Sequence, residues 1–209
     1  MKILLATRNK NKAREFSRIL SEYRDSLGEI ELVTLDDAGI TEDVLENGTT
    51  FEENAMIKAR AGAVSGLVTL ADDSGIEVDA LGGAPGIFSA RFAGGHGDDE
   101  ANNQLLLKKL DGVPREKRTA RYVVAVACVL PDGEEFTVRG TTEGLILNAY
   151  DGAGGFGYDP LFWSLDLNKS FGRATPDEKN AVSHRGRAVR LAAAELAARL
   201  NRNTEGKTK

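Results

Sequence analysis

The sequence predicts a single α/β domain built on a mixed, twisted sheet. Three observations predict it. Short apolar runs of strand type alternate with helical periodicities through the first half of the chain. Two long β-type runs, 119–130 and 135–143, flank the turn Pro131-Asp132-Gly133-Glu134 and read as a hairpin. The 209 residues are 41% hydrophobic, enough for one sizeable core or for two lobes sharing one.

The elements follow in order. Ile3-Leu4-Leu5-Ala6 reads as a buried first strand. A helix follows with Ala13, Phe16, Leu20 and Tyr23 on one face, at spacings of 3, 4 and 3. Residues 31–35 form a second strand, and 36–48 an acidic irregular segment. Thr50 and Glu53 make a capping-box pattern for a helix reaching Val64, in which Ala55, Ala59 and Ala63 allow close packing. A strand over 67–71 leads into Asp72-Asp73-Ser74-Gly75, read as a strand-end loop. A glycine-rich loop, Leu81 to Gly97, precedes a helix from Asp98 to Leu110 that Gly112 stops. After the hairpin, Thr175-Pro176-Asp177-Glu178 starts a helix. The last helix carries Val189, Ala192, Ala193, Leu196 and Leu200 on one face. Helices alternating with a hairpin imply a mixed sheet. The domain is expected over 1–200, with a polar tail at 201–209.

Net charge is −5 and the isoelectric point is near 5.2, which disfavours a nucleic-acid binder resting on phosphate contacts. A small anionic substrate stays compatible, because local charge decides that. Cys128 is the single cysteine; it lies in an apolar run and reads as core filler. A strand begins within three residues of the N-terminus, with no signal peptide, and no apolar run approaches a membrane span. A cytoplasmic setting is expected.

Several constellations can carry chemistry. Adjacent carboxylates at Asp72 and Asp73 are costly together unless a cation or proton offsets their repulsion, and Mg2+ suits such oxygens. Asp-Ser-Gly is equally good turn chemistry, so a solvated turn is the competing reading. Thr7, Arg8, Asn9, Lys10, Asn11 and Lys12 follow a buried strand and open a helix, a position suited to anions. The Walker A glycines are absent, and a solvated basic turn is the alternative. Glu46 stands just before a capped helix, as a second metal ligand or as part of an acidic surface. Lys58, one turn after Asn54, can reach a phosphate or sit in solvent. Phe156, Gly157, Tyr158 and Asp159 lie in Gly154-Gly155-Phe156-Gly157-Tyr158-Asp159-Pro160, which suits a flat base or a turn with core aromatics. Lys179, Ser183, His184 and Arg185 follow the helix start, as donors or as a polar helix face. His96 reads as loop surface.

Six motifs occur in order: Thr7-x-Asn9-x-x-Lys12, Glu46-x-Gly48-x-Thr50-Phe51-x-x-Asn54-Ala55, Asp72-Asp73-Ser74-Gly75, Gly82-Gly83-Ala84-Pro85-Gly86-Ile87-x-Ser89-Ala90-Arg91, Gly155-Phe156-Gly157-Tyr158-Asp159-Pro160 and Lys179-x-x-x-Ser183-His184-Arg185. Together they closely resemble the Ham1-like inosine/xanthosine triphosphate pyrophosphatase family, over residues 3–196. The resemblance implies an elongated two-lobed α/β fold with a central substrate cleft, and a homodimer. It implies Mg2+-dependent hydrolysis of ITP, dITP and XTP to the monophosphate and pyrophosphate. Carried onto this sequence, Thr7 to Lys12 hold the triphosphate, and Glu46 and Asp73 serve the metal. Asp73 is also the general base and Ser74 contacts substrate. Phe156, Gly157, Tyr158, Asp159, Lys179, His184 and Arg185 form the base pocket. Many members have glycine where this chain has Asn11, and some have Trp at Tyr158. A Maf-like pyrophosphatase, a non-catalytic nucleotide-binding module and an RNA-binding protein are the alternatives.

Overall fold

A computed structural model of the chain describes residues 1–42, 44–95 and 97–206. Its elements are β1 (Lys2–Leu5), α1 (Lys10–Leu20), α2 (Arg24–Leu27), β2 (Glu31–Thr34), α3 (Phe51–Gly62), β3 (Val68–Val78), α4 (Asp99–Lys109), β4 (Thr119–Val129), β5 (Glu135–Ile146), β6 (Phe162–Ser164), β7 (Lys169–Ser170), α5 (Pro176–Val182) and α6 (His184–Gly206), with short 3-10 turns between them. The strands form one sheet in the order β2-β1-β3-β4-β5-β6-β7. Strands β2 and β3 run parallel to β1, whereas β6 is antiparallel to β5 and β7 to β6, so the sheet is mixed as expected. The chain divides into two compact units, Met1–Asp73 with Ala125–Arg139 and Gly186–Lys209, and Ser74–Val124 with Gly140–Arg185.

In the first unit the apolar run Ile3-Leu4-Leu5 is fully buried, as parallel strands covered on both faces are. Its register on β3 pairs Ile3 with Val68 and Leu5 with Leu70, and Ala6 extends it by donating to the Leu70 carbonyl at 2.8 Å. Helix α1 buries Phe16, Ile19 and Leu20. Helix α3 buries Ala55 and Ala59 and ends at Gly62, where a Cβ would stand 2.9 Å from Thr69 Cγ2 and 3.0 Å from Leu4 Cδ2. A side chain at position 62 would force Thr69 or Leu4 to shift, so the glycine favours this close approach of α3 to β1 and β3. Cys128 is buried, and that burial pushes its thiol up to about 12, so it is a packing residue and no nucleophile.

Three sequence expectations are corrected. Strand β3 does not end at Ala71. It continues through Asp72-Asp73-Ser74-Gly75 to Val78, with Ile76 and Val78 fully buried beyond the polar stretch. The carboxylates are therefore inside a strand, and the solvated-turn reading falls. The Thr50 hydroxyl caps α3 by accepting from Glu53 N, but the Glu53 carboxylate bonds Thr49 N and Oγ1, so the reciprocal half of the box is displaced by one residue. The helix opened by Thr175 stops at Val182. Ser183 is extended (φ −67°, ψ 154°) and a new helix begins at His184. Helix α6 runs as far as Gly206. His96 lies outside the described residues.

The second unit has an aromatic core: Tyr122, Tyr158, Phe162 and Phe171 pack with Ile76, Val78, Leu106, Leu110 and Ile146. Gly144 admits the close approach of β6, since a Cβ there would stand 2.4 Å from Phe162 Cζ and from the Trp163 carbonyl. Arg118, only 6% exposed, donates to the carbonyls of Leu110 (2.7 Å), Val113 (2.9 Å) and Leu147 (3.3 Å). Leu110 is the C-cap of α4, so the guanidinium meets the negative end of that helix.

Arg118→Met should therefore destabilise the protein by about 3 kcal/mol, because buried carbonyls lose a charged donor. Urea unfolding with an unchanged m-value checks this; a loss below about 0.5 kcal/mol would show that water replaces the guanidinium.

Candidate active site

Burial of the β3 carboxylates decides the chemistry of the first unit. Asp72 is 2% exposed and Asp73 is 9% exposed. Carboxylates so placed require cations nearby. Lys12, from the first turns of α1, reaches Asp72 Oδ1 at 3.1 Å. Lys58, from α3, lies 2.9 Å from Asp73 Oδ1 and 2.9 Å from Glu46 Oε2. One ammonium thus gathers Glu46, from the irregular segment, onto the strand. Asn54 supports the group by donating to Asp73 Oδ2 at 3.5 Å, while its Oδ1 accepts from Gly48 N at 2.8 Å. Burial raises the Asp73 pKa from its ordinary value, and Lys58 and Lys12 pull it partly back. Burial alone would lower the Lys58 pKa, but Asp73, Glu46 and Asp72 outweigh it and the net direction is upward.

The β1–α1 loop is built by its own side chains. Thr7 Oγ1 accepts from Asn9 N at 3.1 Å, and Asn9 caps α1 by accepting from Asn11 N (2.9 Å) and Lys12 N (3.2 Å). Asn11 is helical, so the glycine found there in many members is not required by the backbone. Lys10 is exposed at the first position of α1. The sequence placed Arg8 with the phosphate-binding cations. The structure turns it onto the acidic segment: it donates to the carbonyls of Ile40 (2.9 Å) and Glu42 (3.3 Å) and pairs with Asp36 at 3.4 Å.

The second unit holds the other candidates. Arg185 Nη2 donates to Ser74 Oγ at 2.9 Å. Lys179 Nζ donates to Asp159 Oδ2 at 2.6 Å, in a pair whose side chains are 7% and 2% exposed. Asp159 Oδ2 also accepts from Phe156 N at 2.8 Å, and its Oδ1 accepts from the Tyr122 hydroxyl at 3.2 Å. Gly155 is obligatory beside it, since a Cβ would stand 2.1 Å from Asp159 Oδ2, on a backbone with φ +76°. The half-buried Phe156 ring has Lys179 Nζ 4.5 Å and Arg185 Cζ 5.7 Å from its centre. His184 and Arg185, at the start of α6, are 3% and 2% exposed, so they are no polar helix face. Tyr158 belongs to the core: it is 4% exposed and donates to the Ser89 carbonyl at 2.8 Å. Gly157 is tied by its backbone, its N–H to Asp99 Oδ2 (2.7 Å) and its carbonyl to Asn103 Nδ2 (3.0 Å). The glycine-rich loop after β3 is a brace: the Ser89 hydroxyl accepts from Ile76 N at 2.9 Å and donates to the Gly86 carbonyl at 2.6 Å.

The family model for the Ham1 family matches residues 3–195, nearly the whole described chain. The chain belongs to the Ham1 family. A dITP/XTP pyrophosphatase of Corynebacterium efficiens is 48% identical over 207 residues, covering 94% of this chain and 99% of that protein. The Ham1 protein of Staphylococcus aureus superposes with a TM-score of 0.81 at 36% identity, covering 95% of this chain and all 100% of that one. A nucleoside-triphosphatase, dITP/XTP pyrophosphatase, from Mycobacterium abscessus superposes with a TM-score of 0.72 at 48% identity, over 92% of this chain and 98% of that one.

Two residues gain a place in this Ham1-family site beyond the sequence reading. Lys58 is not a lone solvated cation; it is the counter-charge of Glu46 and Asp73. Its position one turn after Asn54 was the available signal. Tyr122 touches both Asp159 and His184, and nothing in its continuous apolar run marked it.

Gly48 offers a test of how Glu46 is presented. A Cβ there would stand 2.7 Å from Asn54 Oδ1 and 2.7 Å from Glu53 Cβ. Gly48→Ala should displace the segment carrying Glu46 and lower kcat roughly tenfold, in keeping with the sensitivity of rate to small misplacements, while Tm shifts by less than about 3 °C. Unchanged kcat would separate the Gly48–Asn54 contact from the positioning of Glu46.

Proposed function

We propose that this chain hydrolyses non-canonical purine nucleoside triphosphates, ITP, dITP and XTP, to the monophosphate and pyrophosphate, with Mg2+ as cofactor. The observation that carries the reading is the buried pair Asp72-Asp73, which continues without a break into Ser74, the residue held by Arg185. The names of the curated relatives support the same reading.

The donor set fits Mg2+. Glu46 and Asp73 present oxygens at 2.9 Å to one point, the Lys58 ammonium, so a single cation can meet both. Among the described residues no cluster of three or more His, Cys, Asp or Glu forms a ready cage. Two carboxylates completed by substrate oxygens and water are a usual Mg2+ arrangement. Bound there, the ion would offset phosphate charge and favour in-line displacement.

The chain's own residues do the rest. Lys12 and Lys10, at the start of α1, hold phosphate oxygens, together with the N-terminal end of that helix. Asp73 orients a water towards the α-phosphorus and takes its proton on a side-chain oxygen. Activity should rise with pH into the alkaline range, as expected of water activated by a carboxylate beside a metal ion. The purine lies by Phe156, where His184 and Arg185 donate to a 6-keto oxygen. A 6-amino group would leave those donors facing another donor, so ATP is a poor substrate. Asp159, with both oxygens engaged inside the protein, serves as an anchor for Lys179 and Phe156. A cytoplasmic homodimer belongs to this reading on the family resemblance. No helix among the described residues is long and apolar enough to cross a membrane.

Asp73→Asn should keep ITP binding within about tenfold and lower turnover by roughly 10²–10⁴. Single-turnover kinetics beside equilibrium binding check this; near-normal turnover would remove Asp73 from the role of base.

Lys58→Met should leave the carboxylates unpaired and destabilise the metal-free protein by about 3 kcal/mol, or roughly 6–12 °C in Tm. Millimolar Mg2+ should restore most of that loss, and calorimetric titration should show tighter Mg2+ binding than wild type. Equal Tm values in chelator, or no recovery with Mg2+, would contradict the assignment of Glu46 and Asp73 to the metal.

A further inference from the structure

Tyr122 lies on β4, is 7% exposed, and makes two contacts that no structural core residue requires. Its ring stacks on the His184 imidazole with centroids 4.6 Å apart and planes 7° from parallel. Its hydroxyl donates to Asp159 Oδ1 at 3.2 Å. The ring is itself fixed from the apolar side, by Phe162 at 4.6 Å and Phe171 at 6.0 Å. A rigid aromatic core thus ends in one polar atom and one flat face, each applied to a different candidate base-pocket residue.

We propose that Tyr122 is a positioning residue that sets base selectivity, its hydroxyl fixing Asp159 and its ring fixing the plane of His184. This inference rests on the base-pocket reading given above. An imidazole torsion is broad and roughly two-fold when nothing packs on the ring face. A parallel ring at stacking distance removes that freedom and fixes where the imidazole nitrogens project. The hydroxyl acts on the other side. Asp159 Oδ2 is shared by Lys179 Nζ and Phe156 N, and its Oδ1 takes the Tyr122 proton donor. Without that donor a buried carboxylate oxygen is left unsatisfied, and the group can rotate, taking Lys179 and the Phe156 backbone with it. Burial and the neighbouring Asp159 keep the Tyr122 pKa well above its ordinary value, so the hydroxyl stays a donor at every working pH. None of these contacts involves Lys12, Lys58, Glu46 or Asp73, so phosphate handling should not depend on Tyr122.

The test compares Tyr122→Phe, which keeps the ring, with Tyr122→Leu, which removes it. The measured quantities are kcat/KM for ITP and ATP, and the inhibition constant of inorganic tripolyphosphate, a ligand with phosphates and no base. In Tyr122→Phe the ITP/ATP ratio should fall about fivefold, mainly through KM for ITP. In Tyr122→Leu it should fall further, about thirtyfold. Tripolyphosphate inhibition should stay within about twofold of wild type, as for interactions far apart. An unchanged ITP/ATP ratio in Tyr122→Phe overturns the proposal, and so does a parallel weakening of tripolyphosphate inhibition, which would mark general distortion. Should Tyr122→Leu not fold, Tyr122→Phe decides alone. A wild-type protein without preference for ITP would overturn the base-pocket reading itself, and this inference with it.

Discussion

Two adjacent aspartates buried in the middle of a strand are the constraint on which the first unit depends. A carboxylate at 2% exposure and another at 9% persist as ions only with cations beside them. Lys12 and Lys58 supply the charge, and each comes from a helix whose start is fixed by a side-chain cap, Asn9 for α1 and Thr50 for α3. The caps set helical phase, and phase sets which residues face the strand. Gly62 then lets α3 lie close against Leu4 and Thr69, which brings Lys58 within reach. The ordinary elements of the fold therefore serve one electrostatic requirement. The same requirement explains why Glu46, on an irregular segment, is held in place: it shares the Lys58 ammonium.

The second unit solves a different problem with different means. Its candidate recognition groups are donors, and buried donors need rigid support. The aromatic core gives that support through Tyr122, while Gly155 allows Asp159 to sit close under the backbone. The break at Ser183 turns the chain so that Lys179 closes α5 and His184 opens α6, placing three polar side chains in the interior from two short stretches. The two units differ in charge: a cation-balanced carboxylate cluster in the first, and side-chain donors about the buried Asp159 in the second.

Much of this was legible in the sequence where local chemistry decides the outcome. The caps at Thr50 and Thr175, the hairpin turn at 131–134 and the helix stop at Gly112 each rest on a short-range rule, and each is present. The burial of Asp72 and Asp73 was not legible, because their neutralising lysines lie about 60 and 15 residues away in sequence and periodicity carries no such information. Asp-Ser-Gly therefore read as the end of a strand that in fact continues to Val78. The partners of Arg8 were not legible for a related reason. A cation at a helix start suits phosphate, yet the carbonyls of Ile40 and Glu42 claim it through contacts that sequence does not show. For Tyr158 the sequence left a base-stacking and a core reading open, and burial along that loop deepens towards Tyr158 and Asp159, which lie in the core. Tyr122 gave no sign, since a buried tyrosine among valines looks like core until its hydroxyl partner is known.

The central claim is that Asp73 aims water at the α-phosphorus of a purine triphosphate. Hydrolysis of ITP in ¹⁸O-labelled water, with mass analysis of both products, tests it most directly. The account predicts one ¹⁸O in the inosine monophosphate and none in the released pyrophosphate. Label in pyrophosphate, or release of orthophosphate and a diphosphate in its place, would contradict it.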